Sequence, residues 1–423
     1  MTMVTPVVGF HSSHARDASG KLHSVSDKRL RLLYLSNAFP PGVTGRFPSV
    51  NPAGHAQETR TGQALARLAS ISTVGLLPGD VFGQLEPRDD SLGLEHKLIL
   101  WERKPELWHR WQSWLQLRRF YLDQVAREGA PDVVLARNLN PVFNKFVSWL
   151  RRHRERPLAV LILADSTTLG KHVSWSRRMR YAFKPMQILD SQAILSYDAC
   201  ISFGISTRRY FEPHGIPWIW MPSAFNFYYD PPPPDPARTG PIQFGYFGSL
   251  AEHAATLPLA QIFLDSHVPG SLHVCGFGRQ TGDFQALAAQ HPNIRFDGLL
   301  HQSDCLAWAQ KVDVLINPRL TGWGLENSFP SKIFEYAMTG KAILSTRTGG
   351  VDEVLREDGI YLDADDFKNS LRQNLREISA MDRAELQRHG TAIRNRVLKD
   401  FNWDEQARRM VEFLTAAVET GRR

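Results

Sequence analysis

Residues 158–164 read Leu-Ala-Val-Leu-Ile-Leu-Ala, the longest uninterrupted apolar run in the chain. A half-buried strand alternates apolar and polar residues. This run leaves no polar face, so a strand here must be covered on both sides, the setting of a parallel sheet flanked by helices. It is far short of the roughly 20 residues that a membrane-spanning helix needs. The same pattern recurs in LRLLYLS (30–36), ISTVGLL (71–77), PDVVLAR (131–137) and DACISF (198–203), and again in IQFGYFG (242–248), SLHVCG (271–276), NIRFDG (293–298), VDVLINP (312–318) and KAILST (341–346). Amphipathic stretches separate these runs. AQETRTGQALARL places Ala64, Leu65 and Leu68 on one helical face, and NKFVSWLRRHRE predicts a helix over 144–155. Between the two sets lies DPPPPDPARTGP (230–241), whose four successive prolines form a stiff spacer that continues neither helix nor central strand. The expected architecture is α/β, with two doubly wound Rossmann-like domains, and 423 residues suffice to give each a core.

Composition narrows the function classes. The hydrophobic share of 43% and charged share of 22% are ordinary for a globular protein. Residues 1–27 are polar and lack a signal-like apolar stretch, and are expected to be flexible. The three cysteines, Cys200, Cys275 and Cys305, show no CxxC or zinc-type spacing, which suits a reducing cytosol. The first half is the basic one. Residues 1–222 carry 29 Lys and Arg against 18 Asp and Glu, a balance of +11, whereas residues 223–423 carry 21 against 25, a balance of −4. A basic half attracts phosphates, anionic lipid included, or is simply an Arg-rich solvated surface.

Ligands of doubly wound sheets bind beyond the carboxyl ends of the strands. Those ends read Ser36, Arg137-Asn138, Asp165, Gly248-Ser249, Gly276, Gly298 and Pro318-Arg319. The most informative stretch is NSFPSKIFEYAMTGKAILST (327–346). Ser328 or Ser331 can cap a short helix that Pro330 opens and Gly340 closes. Lys332 stands in the first turn, where a cation is unfavourable by about 0.3–1 kcal/mol unless an anion occupies the helix end. Glu335 follows on the same face, placed to accept hydrogen bonds from sugar hydroxyls, although the two also suit a solvated i,i+3 pair.

With these motifs in order, the second half resembles the nucleotide-binding domain of GT-B glycosyltransferases, most closely glycosyltransferase family 4. FGYFGSL resembles the family's opening strand and glycine loop, and NIRFDGLLHQSDCLAWAQKVDVLINP its next strand-glycine-loop and helix. SFPSKIFEYAMTGKAILSTRTGGVDEVL resembles its donor helix and Gly-Gly loop, and FNWDEQARRMVEFL its terminal crossover helix. The resemblance implies an acceptor-binding domain over 28–228, a linker over 229–241, a nucleotide-sugar-binding domain over 242–398 and a crossover helix over 399–423. It implies a nucleoside diphosphate sugar, UDP- or GDP-linked, as co-substrate. The base would lie against Gly298 and Leu299, the ribose against Glu335, and the diphosphate against the amides from Phe329 to Lys332, with Gly248, Ser249, Asn327, Ser328 and Ser331 among the further donor-binding residues. No cofactor and no metal are expected, since helix amides and a cation would stabilise the charge on the leaving diphosphate. The chain departs from the family at three points. Asn327 stands where a second Glu is usual, with Glu326 beside it. The loop GSLAEHAATLP has no Arg or Lys, the next cation being Arg279, so Lys332 and Arg319 would carry the phosphate charge. The loop after the first strand offers Gly42, Gly45 and Gly54 but no Gly-Gly pair. The candidate catalytic residues are Glu326 and Asp165, the latter ending the most buried strand as a general base, a sugar contact or a loop cap. The family implies retention at the anomeric carbon and an Asp base would suit inversion.

WERKPELWHRWQSWLQLRRFY (101–121) places Trp101, Trp108, Trp111, Trp114 and Leu115 at near-helical spacing among basic residues. Such a helix lies either on a membrane surface or against the core. With the basic clusters RRHRER and SRRMR, it points to peripheral contact with anionic membrane on the cytoplasmic side, and to a lipid-linked or glycan acceptor. No nucleic-acid module is present. The rival readings are a transferase for a soluble acceptor, a non-catalytic nucleotide- or glycan-binding protein of the same shape, and a basic protein that binds polyanions.

Overall fold

The computed structural model describes residues 29–40, 52–78, 93–102, 106–153, 156–164, 190–226, 228–233, 238–320 and 325–421. The expected flexible segment 1–27, Gly42, Gly45, SRRMR and Asp165 lie outside these residues.

The apolar runs form two parallel sheets. The first contains β1 (Arg31–Ser36), β2 (Ser70–Pro78), β3 (Leu98–Glu102), β4 (Val133–Arg137), β5 (Leu158–Leu163), β6 (Ala199–Ser202) and β7 (Trp218–Trp220), in the order β3-β2-β1-β4-β5-β6-β7. The second contains β8 (Phe244–Ser249), β9 (Leu272–Phe277), β10 (Ile294–Phe296), β11 (Val314–Asn317), β12 (Ala342–Thr346) and β13 (Ile360–Leu362), in the order β10-β9-β8-β11-β12-β13. Both orders reverse direction once, between β1 and β4 and between β8 and β11. Such reversals open the crevice at which ligands bind. Residues 159–163 of β5 are all fully buried, as their lack of a polar face requires.

Each sheet has an outer core of its own. Trp114, Leu117, Tyr121, Phe143 and Phe146 cover the first, and Phe263, Phe284, Leu371 and Leu375 the second. A third core runs through both halves, joining Tyr34, Leu65 and Ile162 to Phe334, Phe401, Met410 and Leu414. The helix Trp403–Gly421 supplies the last two and packs on the helix Pro52–Leu68, with Arg67 paired to Asp404. Gly204 packs so closely on the second half that a Cβ there would meet the Asn327 carbonyl at 2.3 Å.

Several sequence expectations are corrected. Trp101 belongs to β3, and the Trp-rich helix begins only at Glu106 and runs to Glu128, because the LILWE run pairs with β2 first. Within that helix Trp114 faces the core at 8% exposure, while Trp111 at 40% and Trp108 at 59% face outward. The helix expected over 144–155 is Pro141–Leu150, started by the Asn140 side chain, which accepts from the Val142 amide. The strands β3, β7 and β13 were not anticipated.

Candidate functional site

The site is built where β8 and β9 end. Gly248 (φ 144°) and Gly276 (φ 157°) let these ends close up. A Cβ on Gly276 would sit 1.9 Å from the Gly248 carbonyl oxygen. The short helix Lys332–Met338 lies over this edge. Its Tyr336 is fully buried and donates to the Phe247 carbonyl (3.0 Å), while the Phe247 amide donates back (3.2 Å). The helix is thereby pinned to β8, one turn from Lys332. Gly340, at φ 69°, ends it and turns the chain into β12.

Lys332 reaches back to the glycine loop. Its Nζ donates to the Tyr246 hydroxyl at 2.7 Å and lies 4.3 Å from the centre of that ring. It stands 2.9 Å from where a Gly248 Cβ would be, so a side chain at that position would push the ammonium aside. Burial, reinforced by repulsion from Arg319 and only partly offset by Glu335, pulls its pKa down to about 7. Arg319, just beyond β11, donates through Nη2 to Ser328 Oγ (2.7 Å) and to the Leu325 carbonyl (3.1 Å). Two cationic side chains therefore converge on one crevice, an arrangement that favours an anion.

The structure places the remaining predicted residues as follows. Glu335 is half-buried on the same helix face as Lys332. Ser249 is exposed, and its carbonyl accepts from the Tyr246 hydroxyl at 2.6 Å. Gly298 (φ 70°) has nothing within 4 Å of its Cβ position and Leu299 is 59% exposed, so this loop presents an open apolar shelf. Arg279 is exposed on the loop after β9. The expected serine cap is corrected. Ser331 precedes the helix without a side-chain cap bond, and Ser328 Oγ binds Arg319 and Leu325 instead. The amides of Ile333 and Phe334 already donate to Pro330 and Ser331 carbonyls, which shortens the free helix end. The Phe329 side chain stacks on Phe334 in the shared core (5.0 Å), so only its backbone is available to a ligand.

Glu326 and Asn327 lie at the seam between the halves. Arg209 of the first half reaches Glu326 Oε1 at 3.4 Å and Asn327 Oδ1 at 3.5 Å, and Ser206 Oγ donates to the Glu326 carbonyl. Sequence reasoning missed Ser206, Arg209, Tyr336 and Tyr246. For Tyr246 a signal existed, since a tyrosine in an otherwise apolar buried strand must find a partner for its hydroxyl.

The family profile described as glycosyl transferases group 1 matches residues 242–380, which contain the whole site around Lys332. No curated protein sequence matches the chain. Among solved structures, the catalytic domain of starch synthase IV from Arabidopsis thaliana, bound to ADP and acarbose, superposes with a TM-score of 0.61 at 12% identity, over 93% of this chain and 100% of that one. The lipopolysaccharide outer core galactosyltransferase WaaB gives 0.58 at 13% identity over 93% and 100%. Anabaena HepE, in complex with UDP and glucose, gives 0.58 at 12% identity over 92% and 100%. The fold is GT-B, and residues 242–380 of its second half match the group 1 glycosyltransferase profile.

Proposed function

We propose that the protein transfers a sugar from a nucleoside diphosphate sugar to a hydroxyl acceptor, as a metal-independent transferase of the family 4 type. One observation carries the reading: the Lys332 ammonium sits at the glycine loop of a group 1 domain, with Arg319 beside it. The leaving group of such a transfer is a nucleoside diphosphate, whose developing charge must be stabilised. Fixed cations in a crevice do this without reorganising. The open shelf at Gly298 and Leu299 suits the base, and Glu335 suits the ribose. Glu326, held at the seam by Arg209 beside Asn327, is the candidate carboxylate for the sugar.

The acceptor is proposed to be lipid-linked or glycan in nature, in bacterial polysaccharide assembly, with the first half resting on anionic membrane. The outward Leu107, Trp108 and Trp111 support this, with Arg118 of the same helix lying over the rings of Trp114 and of Trp149 on the neighbouring helix Pro141–Leu150. Among the described residues no helix is long and apolar enough to cross a membrane. A soluble acceptor is the alternative.

Calorimetric titration with UDP, GDP and ADP tests the nucleotide site. One of them is expected to bind in the micromolar range, and Lys332→Ala and Glu335→Ala each to weaken it. Binding untouched by both changes would move the site elsewhere. Transfer from the matching nucleotide sugar is expected to persist in EDTA. Sedimentation with phosphatidylglycerol vesicles, compared with Trp108→Ala/Trp111→Ala, separates the membrane-bound from the soluble-acceptor reading.

A further inference from the structure

Tyr246 stands out once the family's usual contacts are set aside. It is fully buried in β8, 86 residues from Lys332 in sequence, yet its hydroxyl meets the Lys332 ammonium at 2.7 Å. The phenol's single proton is committed to the Ser249 carbonyl at 2.6 Å. Only its lone pairs then face Lys332, so it must accept. The ring adds a cation–π contact at 4.3 Å. The loop that follows, from Gly248 to Pro258, has no Arg or Lys of its own. The ammonium is delivered there from another element, 2.9 Å from where a Cβ on Gly248 would be.

We propose that Tyr246 is a positioning residue that holds the Lys332 ammonium at the glycine loop, in its charged form, for the diphosphate of the nucleotide. The inference rests on the nucleotide-site reading above. A hydrogen bond accepted from the ammonium favours the charged state, which burial opposes. The groups facing Lys332 are Arg319 from beyond β11, Glu335 from its own helix, and Tyr246 from β8. Arg319 pushes its pKa down and Glu335 holds it up. Removing the phenol oxygen tips this balance further toward the neutral amine.

The test compares Tyr246→Phe, Lys332→Ala and the double variant with wild type, by calorimetry with UDP, GDP and ADP between pH 6 and pH 8. The ratio of variant to wild-type affinity at each pH cancels the ligand's own protonation. With Lys332 titrating near 7, a further fall of about one pKa unit in Tyr246→Phe lowers affinity about tenfold at pH 8 but only about twofold at pH 6. The double variant is expected to bind no more weakly than Lys332→Ala alone. A loss of equal size at every pH, or one additive with Lys332→Ala, makes Tyr246 a packing residue and overturns the inference. An unchanged Tyr246→Phe overturns it as well. These outcomes leave the nucleotide site standing. If Lys332→Ala binds as tightly as wild type, or wild type binds none of the three, the site reading itself fails and takes the inference with it. Circular dichroism melts show whether Tyr246→Phe, which keeps the ring, is folded.

Discussion

The two sheets end in cations of opposite kinds. At the first, Arg137 closes β4 at 1% exposure. Its Nη2 donates to Gln57 Oε1 (2.8 Å), its Nε lies 3.6 Å from Glu58 Oε1, and its guanidinium sits over Phe203 at 4.8 Å. Glu58 in turn accepts from Ser36 Oγ at 2.8 Å and the Asn37 amide at 2.6 Å. The charge is matched inside the domain and ties four elements together. At the second sheet, Lys332 is bonded to a phenol rather than to a carboxylate, and a neighbouring Arg319 raises its cost. One edge uses its cation for architecture, whereas the other holds a cation that Glu335 offsets only in part, as the proposed phosphate ligand would require.

The largest effect follows from breaking the first arrangement. Arg137→Met leaves Glu58 buried without its counter-charge, and is expected to cost about 3–5 kcal/mol of stability in chemical denaturation. Nucleotide affinity of the folded fraction should stay within about twofold of wild type, because Arg137 belongs to the other sheet. A stable Arg137→Met protein would mean that the pair is no more than a surface-like contact.

The second prediction concerns Lys332, and its sign is opposite. The folded pKa, near 7, lies below the ordinary lysine value of 10.5. Below pH 7 the amine is charged in both folded and unfolded states, and the folded state carries the whole cost of burying it. Between pH 7 and 10.5 the unfolded chain keeps a proton that the folded one has lost, so stability rises with pH. Lys332→Met without nucleotide is therefore expected to melt higher than wild type by ~2 °C or more at pH 6, with the gap closing toward pH 10. The same variant should lose nucleotide affinity about 100-fold at pH 6, since charge-assisted bonds to phosphate vanish. A residue that weakens the apo fold and strengthens the complex is the signature of a site. A Met variant less stable than wild type would assign Lys332 to architecture, like Arg137.

How much of this contrast is legible in sequence depends on how far apart the partners lie. The central strands β1, β5, β8 and β11 read directly from their apolar runs, because burial on both faces leaves no other composition. The edge strands β3, β7 and β13 do not, being five, three and three residues long and half-covered at best. The position of Lys332 at a strand's carboxyl edge was readable from its helix and the strand that follows. That Ser328 would serve Arg319 rather than a helix cap was not, because the loop folds back on β11. Arg137 looked like a ligand-facing strand end. Its burial depends on Gln57 and Glu58, about eighty residues earlier, and local pattern carries no trace of such pairs. Cys275 and Cys305 are similar, 30 residues apart in sequence and 3.8 Å apart at sulfur.

Glu326 is the intermediate case, and the smallest expected effect decides which kind of edge residue it is. Its Oε1 faces Arg209 at 3.4 Å, but Arg209 is 54% exposed, so solvent screens the pair. Its Oε2 is enclosed and accepts no hydrogen bond. Glu58, placed for architecture, instead has Oε2 bonded twice and Oε1 set against Arg137. Arg209→Ala is therefore expected to change stability by only about 0–1 kcal/mol. Glu326→Gln, with similar shape, should leave melting temperature and nucleotide affinity near wild type while lowering the turnover of sugar transfer at least about tenfold, since a carboxylate acting on the sugar contributes in the transition state rather than in nucleotide binding. Loss of stability with turnover intact would place Glu326 with Arg137, as a clasp between the halves. Loss of turnover alone places it with Lys332, on the edge held in reserve for substrate.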